Sequence, residues 1–277
     1  MRKSLTYKIL VAVLAAGSLG LYAASPAAAQ DFNAPDDGTT VNGDFANVYG
    51  NGEAITIEGR VIDEIYGVGN DLNYNTDASG GDIAINRGTV KAVYGGFSTN
   101  GDAIQNYITI NNGNITSTVY GGFSSYSNAS DNYITINDGT VGAIEGGHAG
   151  LNGTANNNHV TINGGTITGN VRGSKSQKGE ANNNSVTING GIINGEISGG
   201  YGGNSETATT NNIVNITGGT ITGDIYGGNS SRGNASYNEV IISGGTINGN
   251  VYGATAANYS YANSNNNIIE ISANANI

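Results

Sequence analysis

The stretch NHVTINGGTITGNVRG, Asn158 to Gly173, decides the fold, because it is the cleanest copy of a unit that recurs from residue 55 to the end. The first apolar residue of each copy falls at Ile55, Ile83, Ile108, Ile134, Val160, Val186, Val214, Val240 and Ile269, giving spacings of 28, 25, 26, 26, 26, 28, 26 and 29. Self-similarity at such a period is the signature of a solenoid, in which one supersecondary unit stacks on the next. Val160, Thr161 and Ile162 alternate apolar, polar, apolar, as a half-buried strand does. Asn163, Gly164 and Gly165 read as a turn, Thr166 to Thr168 as a second short strand, Gly169 and Asn170 as a corner, and Val171 as the start of a third.

Comparison of copies within the chain adds detail. Gly stands at 88, 113, 139, 165, 191, 219 and 245, three residues after the second apolar residue of each first strand. A position that is always Gly predicts a positive φ. Ordering some 26 residues costs more than four buried aliphatic side chains return, so one coil cannot fold alone and stacking must supply the rest. The expected fold is all-β: a right-handed parallel β-helix of about eight full coils, about 26 residues and three short strands per coil, and roughly 40 Å long at about 4.8 Å per coil.

Outside the repeat, residues 1–29 carry Arg2, Lys3 and Lys8, then an apolar run, then Ala27, Ala28 and Ala29 before Gln30. That order reads as a secretory signal peptide cleaved between Ala29 and Gln30. Residues 30–45, with Pro35 and the Asp36-Asp37-Gly38 turn signal, are expected to form an irregular N-terminal cover or linker that shields the first strand edge. The β-helical domain is assigned to 46–277. Its last copy, Ile269-Glu270-Ile271, lacks the turn Gly and the second and third strands, so the domain is expected to be incomplete at the C-terminus.

Without residues 1–29 the chain keeps seven basic residues, 10 less Arg2, Lys3 and Lys8, against 21 acidic ones, a net charge of −14. That excess argues against nucleic acid as a partner. Eleven acids lie between Asp31 and Asp82 and are read as a solvated face. With no Cys in the chain, disulfides cannot staple the fold. The segment after each third strand varies in length and is rich in Gly, Ser, Asn and Ala, which reads as a loop leaving the helix. One such loop, Arg172 to Glu180, holds Arg172, Lys175 and Lys178, three of the seven basic residues.

Catalytic machinery is not evident. Acids after Ile83 do not gather at one strand position, and His148 and His159 are read as ordinary polar residues. Gly199 to Asn204 matches the calcium-binding Gly-Gly-x-Gly-x-Asp repeat once, with Asn for Asp, so no metal and no cofactor is expected. Thr-Ile-Thr at Thr166 and Thr220 recurs too rarely for an ice-binding ladder. One outward pattern stands out. If the third-strand Val or Ile points inward, the next residue points out, and those residues are Tyr49, Tyr66, Tyr94, Tyr120, Glu145, Arg172, Ser198, Tyr226 and Tyr252. The six tyrosines form a candidate binding stripe, broken in the middle; the competing reading is a file of rings that stabilise one another.

A cleavable signal followed by Gly/Asn/Thr-rich units of the VTINGGTITGNV type resembles the passenger region of bacterial autotransporters and related adhesin-like surface proteins. The resemblance implies export to the outer membrane, display outside the cell, and adhesion to host glycans or to surface and matrix proteins. Autotransporters also carry a C-terminal barrel of alternating strands about ten residues long. None of that pattern occurs in these residues, so association with the outer membrane is expected only through a partner or a barrel not included here. The expected function is therefore a non-enzymatic structural and adhesive module, with a polysaccharide lyase or glycoside hydrolase as the alternative.

Overall fold

The computed structural model describes residues 30–35, 38–59, 63–69, 76–203, 207–256 and 262–277. The assigned signal peptide, with Ala29, lies outside them; Gln30 is the first described residue. Among the described residues every regular element is a strand, and all strand pairs are parallel. The chain winds into a β-solenoid of about eight turns, and coil contacts coil one period away.

Each coil opens with a strand of the Ile-Thr-Ile type. Ten of these, from Thr39–Val41 to Ile268–Ile271, pair into one sheet. Their register is one-to-one: Ile108 lies opposite Ile134, Ile134 opposite Val160, and Val160 opposite Val186. The alternation places Ile134, Ile136, Val160 and Ile162 in the interior, all essentially inaccessible to solvent, and leaves the threonines between them half-buried outside. The second and third strands of the coil form another sheet. They run together as one strand in Asn114–Ser124 and Thr140–Ala149, and separate in later coils. One aliphatic column of Val and Ile from all three faces fills the interior.

All seven recurrent turn glycines have positive φ, from 81° at Gly165 to 152° at Gly113. At Gly165 an added Cβ would sit 2.6 Å from the Gly139 carbonyl oxygen, so close stacking adds to the conformational demand.

Two parts of the sequence reading are corrected. Residues 30–45 are not an irregular cover: Phe32–Asn33 pairs with Val48–Tyr49, and Thr39–Val41 pairs with Ile55–Ile57, so the stack already includes them. Phe32 and Phe45, 4.9 Å apart, pack over the core at this end. Where they are described, the variable segments after the third strand do not leave the helix either. Ala103, Ala129, Ala155, Ala181 and Ala235 are buried there, and their backbone amides donate to the next coil, as Ala129 does to Thr154 at 2.9 Å. Small side chains let these segments stack as closely as the strands do.

The corner that closes each coil holds a feature the sequence reading missed. Asn106, Asn132, Asn158, Asn184, Asn212, Asn238 and Asn267 lie two residues before the first-strand marker and form a ladder, buried except at its last rung. The Asn158 side-chain amide donates to the Asn184 Oδ1 at 3.1 Å and to the Ala129 carbonyl at 3.0 Å, while its own Oδ1 accepts from the Asn132 backbone and side chain. The residue before each rung, from Gln105 to Asn266, has φ between 55° and 58°. That left-handed step aims the amide inward.

Candidate functional site: a concave seam on the third face

The third strands do not run straight. In Ala92–Ser98, Val93 points into the core and Tyr94 outward, but Gly95 and Gly96 follow, both buried. A Cβ on Gly95 would lie 2.3 Å from the Gly121 carbonyl oxygen, and one on Gly96 would lie 2.4 Å from the Asn106 side-chain nitrogen. The Gly95 position is glycine in every coil from Gly67 to Gly253, whereas the Gly96 position also takes Ser174 and Ala254, and the chain bends there. As a result Phe97, three residues beyond Tyr94, faces the same side as Tyr94 instead of the opposite one. Their rings meet edge to face at 5.4 Å and 89°. Outward side chains splay at a convex corner and converge at a concave one. The bend therefore makes a concave seam parallel to the stack axis.

Two columns line the seam. The first holds Tyr49, Tyr66, Tyr94, Tyr120, Glu145, Arg172, Ser198, Tyr226 and Tyr252 in register. The second holds Phe97, Phe123, His148, Lys175, Tyr201, Asn229 and Thr255. Tyr66, Tyr94 and Tyr120 stack at 5.0 Å with nearly parallel rings, and Phe97 and Phe123 stack beside them at 5.2 Å. The candidate stripe is thus brought together, with a change of character. Tyr66 is only 3% exposed and Tyr94 and Tyr120 are half-buried, because the bend folds the phenylalanines against them. Their ring faces are covered by one another and by Phe97 and Phe123. Tyr226 and Tyr252 form a separate pair at 4.9 Å, and Tyr252, at 38%, is the most exposed of the six.

The gap between these aromatic runs is filled by charge. The sequence reading placed Arg172, Lys175 and Lys178 in a solvated loop; Arg172 and Lys175 instead sit on the strand Val171–Ser176, in the seam. Lys178 is exposed in the turn beyond. At the centre lies Glu145, 6% exposed. Its Oε1 is 3.0 Å from Arg172 Nη1 and 3.8 Å from Lys175 Nζ, and its Oε2 is 2.6 Å from His148 Nδ1. Burial alone would raise the carboxyl's pKa; the hydrogen bond from His148 and the charges of His148, Lys175 and Arg172 outweigh it and hold the group below its ordinary range. The Arg172 guanidinium also lies over the Tyr201 ring, 4.4 Å from its centroid.

Glu196 and Asp224 stand one rung apart at the entry to the third strands. Burial pushes the Glu196 carboxyl up, and Arg172 and a 3.5 Å bond from Asn229 offset this only in part. Asp224 is pulled down, chiefly by the Asn250 backbone amide donating at 2.8 Å. Burial, then Asp224 and Glu196, push the Tyr226 phenol up to about 12. Among the described residues no group of three or more His, Asp or Glu side chains is placed to hold a metal ion, and no helix is long and apolar enough to cross a membrane.

The second column carried little signal in the sequence, because period-two alternation turns residue 97 away from residue 94. Fold and seam together define the class: a parallel β-solenoid with an aromatic and charged groove along one corner. Set against protein-family models, curated proteins and solved structures, the chain matches none.

Proposed function

We propose that the protein is a non-catalytic binding scaffold, displayed or released outside the cell, that holds an extended glycan along the concave seam. The observation that carries this reading is the convergence of two side-chain columns across the Gly95-Gly96 bend and its equivalents. Convergence makes a groove in which ring edges, phenol hydroxyls and charged groups repeat at the rise of the stack, about 4.8 Å. An extended polymer can meet such a groove at many points. Rigid aromatic side chains make contacts at little entropic cost. Export rests on the composition of residues 1–29 and on the resemblance to autotransporter passengers.

The stripe of six tyrosines divides accordingly. Tyr49, Tyr66, Tyr94 and Tyr120 act as scaffold, since they stack on one another, whereas Tyr226 and Tyr252, with Tyr201 of the second column, contact ligand. Affinity electrophoresis of the chain through gels containing neutral and acidic polysaccharides is the test. Wild type should be retarded, and Tyr201→Ala with Tyr252→Ala should cut affinity about tenfold, the loss of one or two stacked contacts, with little change in melting. Unretarded wild type across the panel would end this reading.

One observation favours hydrolysis as a second reading. Glu196 and Asp224 occupy the same position on adjacent coils, whose backbones are about 4.8 Å apart, and their pKa values move in opposite directions, as those of paired catalytic carboxyls do. Release of reducing ends by wild type, abolished in Glu196→Gln, would establish it.

A further inference from the structure

The sheet of first strands carries a second file of rings, on a different face from the seam. The outward residue that opens each strand is Asp82, Tyr107, Tyr133, His159, Ser185, Ile213, Glu239 and Ile268, in register from coil to coil. Tyr107 and Tyr133 stack at 5.0 Å with 7° between their planes, and Tyr133 and His159 at 4.8 Å with 20°. Tyr94 and Tyr120 are covered by Phe97 and Phe123, but Tyr107 and Tyr133 stand in solvent, 47% and 39% exposed. Contiguous exposed aromatic surface of this kind marks an interaction site.

The geometry selects the partner. Rings in register at this spacing cover one another's faces and turn their edges and hydroxyls outward. Tyr107, the first ring, is the exception: the residue in register on its far side is Asp82, an exposed carboxylate. None of the ten strands in this sheet contains a lysine or an arginine, whereas Asp82, Glu239 and Glu270 are acidic. Asp131, at the corner before Tyr133, adds a fourth carboxylate, close enough for its charge to act on His159. Burial holds the His159 imidazole below its ordinary range in spite of that charge, so at neutral pH the file carries no positive charge of its own. Among the described residues no cation is ion-paired with Asp82 or Asp131, and Arg87, at the turn after Asp82–Ile85, is engaged by Glu58 at 2.9 Å. Such a face repels a second copy of itself and offers a sugar a single ring face. Its complement is an ammonium or guanidinium group, which is drawn both to the face of an aromatic ring and to a carboxylate.

We propose that this face docks a basic segment of a partner protein: a lysine or arginine side chain lies against the Tyr107 ring on the side of Asp82 and pairs with that carboxylate, while the Tyr107 and Tyr133 hydroxyls accept hydrogen bonds from the same segment. Asp131, two rungs along at about 4.8 Å per rung, engages a second basic side chain. The proposal stands apart from the glycan seam, since the two surfaces belong to different sheets.

Isothermal titration of the full chain with hexa-arginine and hexa-lysine tests it, in about 0.15 M salt to screen diffuse attraction and with hexa-glycine as the blank. Wild type should bind both basic peptides. Tyr107→Ala and Asp82→Asn should each weaken binding about threefold, the order of one exposed cation–π contact or surface ion pair, and together about tenfold. Tyr107→Phe keeps the ring face and should bind within about twofold of wild type. Asp44→Asn makes the same charge change at an exposed position between Thr39–Val41 and Val48–Tyr49, and should bind as wild type does. Equal weakening by Asp44→Asn and Asp82→Asn would reduce the attraction to diffuse charge and overturn the site. Undiminished binding by Tyr107→Ala, or wild-type binding no stronger than to hexa-glycine, would overturn it too. Two other occupants are checked with the same variant, by sedimentation and by retardation in polysaccharide gels. Self-association lost in Tyr107→Ala would assign the face to a second copy, and polysaccharide binding lost in Tyr107→Ala would assign it to sugar; either result overturns the proposal.

Discussion

The most consequential single residues are the buried asparagines. The Asn158 side chain satisfies the Asn132 amide and the Ala129 carbonyl of the preceding coil, which no water reaches, and donates to the Asn184 side chain of the next. Asn158→Ala strands several of them at about 1–3 kcal/mol each, so urea unfolding should show a loss of about 3 kcal/mol or more. Asn163, whose side chain joins an exposed amide ladder through a 2.8 Å bond to Asn137, should lose under about 1 kcal/mol on the same change. Equal losses would mean that the corner ladder is incidental. Glu145 governs acid behaviour. Its folded pKa is depressed, so its contribution is fully present above the unfolded value, about 4.5, and is lost as pH falls through the folded value. The stability gap between wild type and Glu145→Gln should therefore narrow below about pH 4.5; a gap independent of pH would contradict the ion cluster.

At the scale of the element, the strand file through Tyr94 and Tyr120 is scaffold. Each ring stacks on its neighbour and meets a phenylalanine edge. Aromatic pairs contribute about 0.5–1.5 kcal/mol beyond burial, so changing both tyrosines to Thr should cost about 3 kcal/mol or more and lower the melting temperature by several degrees. Unchanged melting would return these rings to the binding surface. Strand register was legible because Ile-Thr-Ile alternates over a hydrophobic interior. The seam was not, because two consecutive glycines shift the side-chain alternation by one and bring Phe97 beside Tyr94. The asparagine ladder could have been found by counting back two positions from each marker, but in so Asn-rich a chain the column passes for composition.

Across the whole molecule, coils contribute according to whether both neighbours cover them. Ile134 is paired on each side and buried. Ile269 occupies the same column at the last described rung, and 43% of it is exposed. Ile134→Asn should cost about 3–5 kcal/mol, as loss of a large buried side chain and burial of an unpaired amide do. Ile269→Asn should cost about 1 kcal/mol or less. Hydrogen exchange graded from the last rungs inward would agree with nearest-neighbour stability.

The amide ladder bonds to the coil before and the coil after, and to nothing that counts coils. It also tolerates unequal steps: Asn184 still donates to Asn212 at 2.9 Å across 28 residues, and Asn238 to Asn267 at 3.1 Å across 29, where the other rungs span 26. Slippage during replication that copies one 26-codon unit in frame would thus deliver a chain whose new rung fits at once. Lineages carrying this gene can change the length of the seam by unequal recombination, with no new side chain invented, and that length becomes a trait that varies by whole repeats.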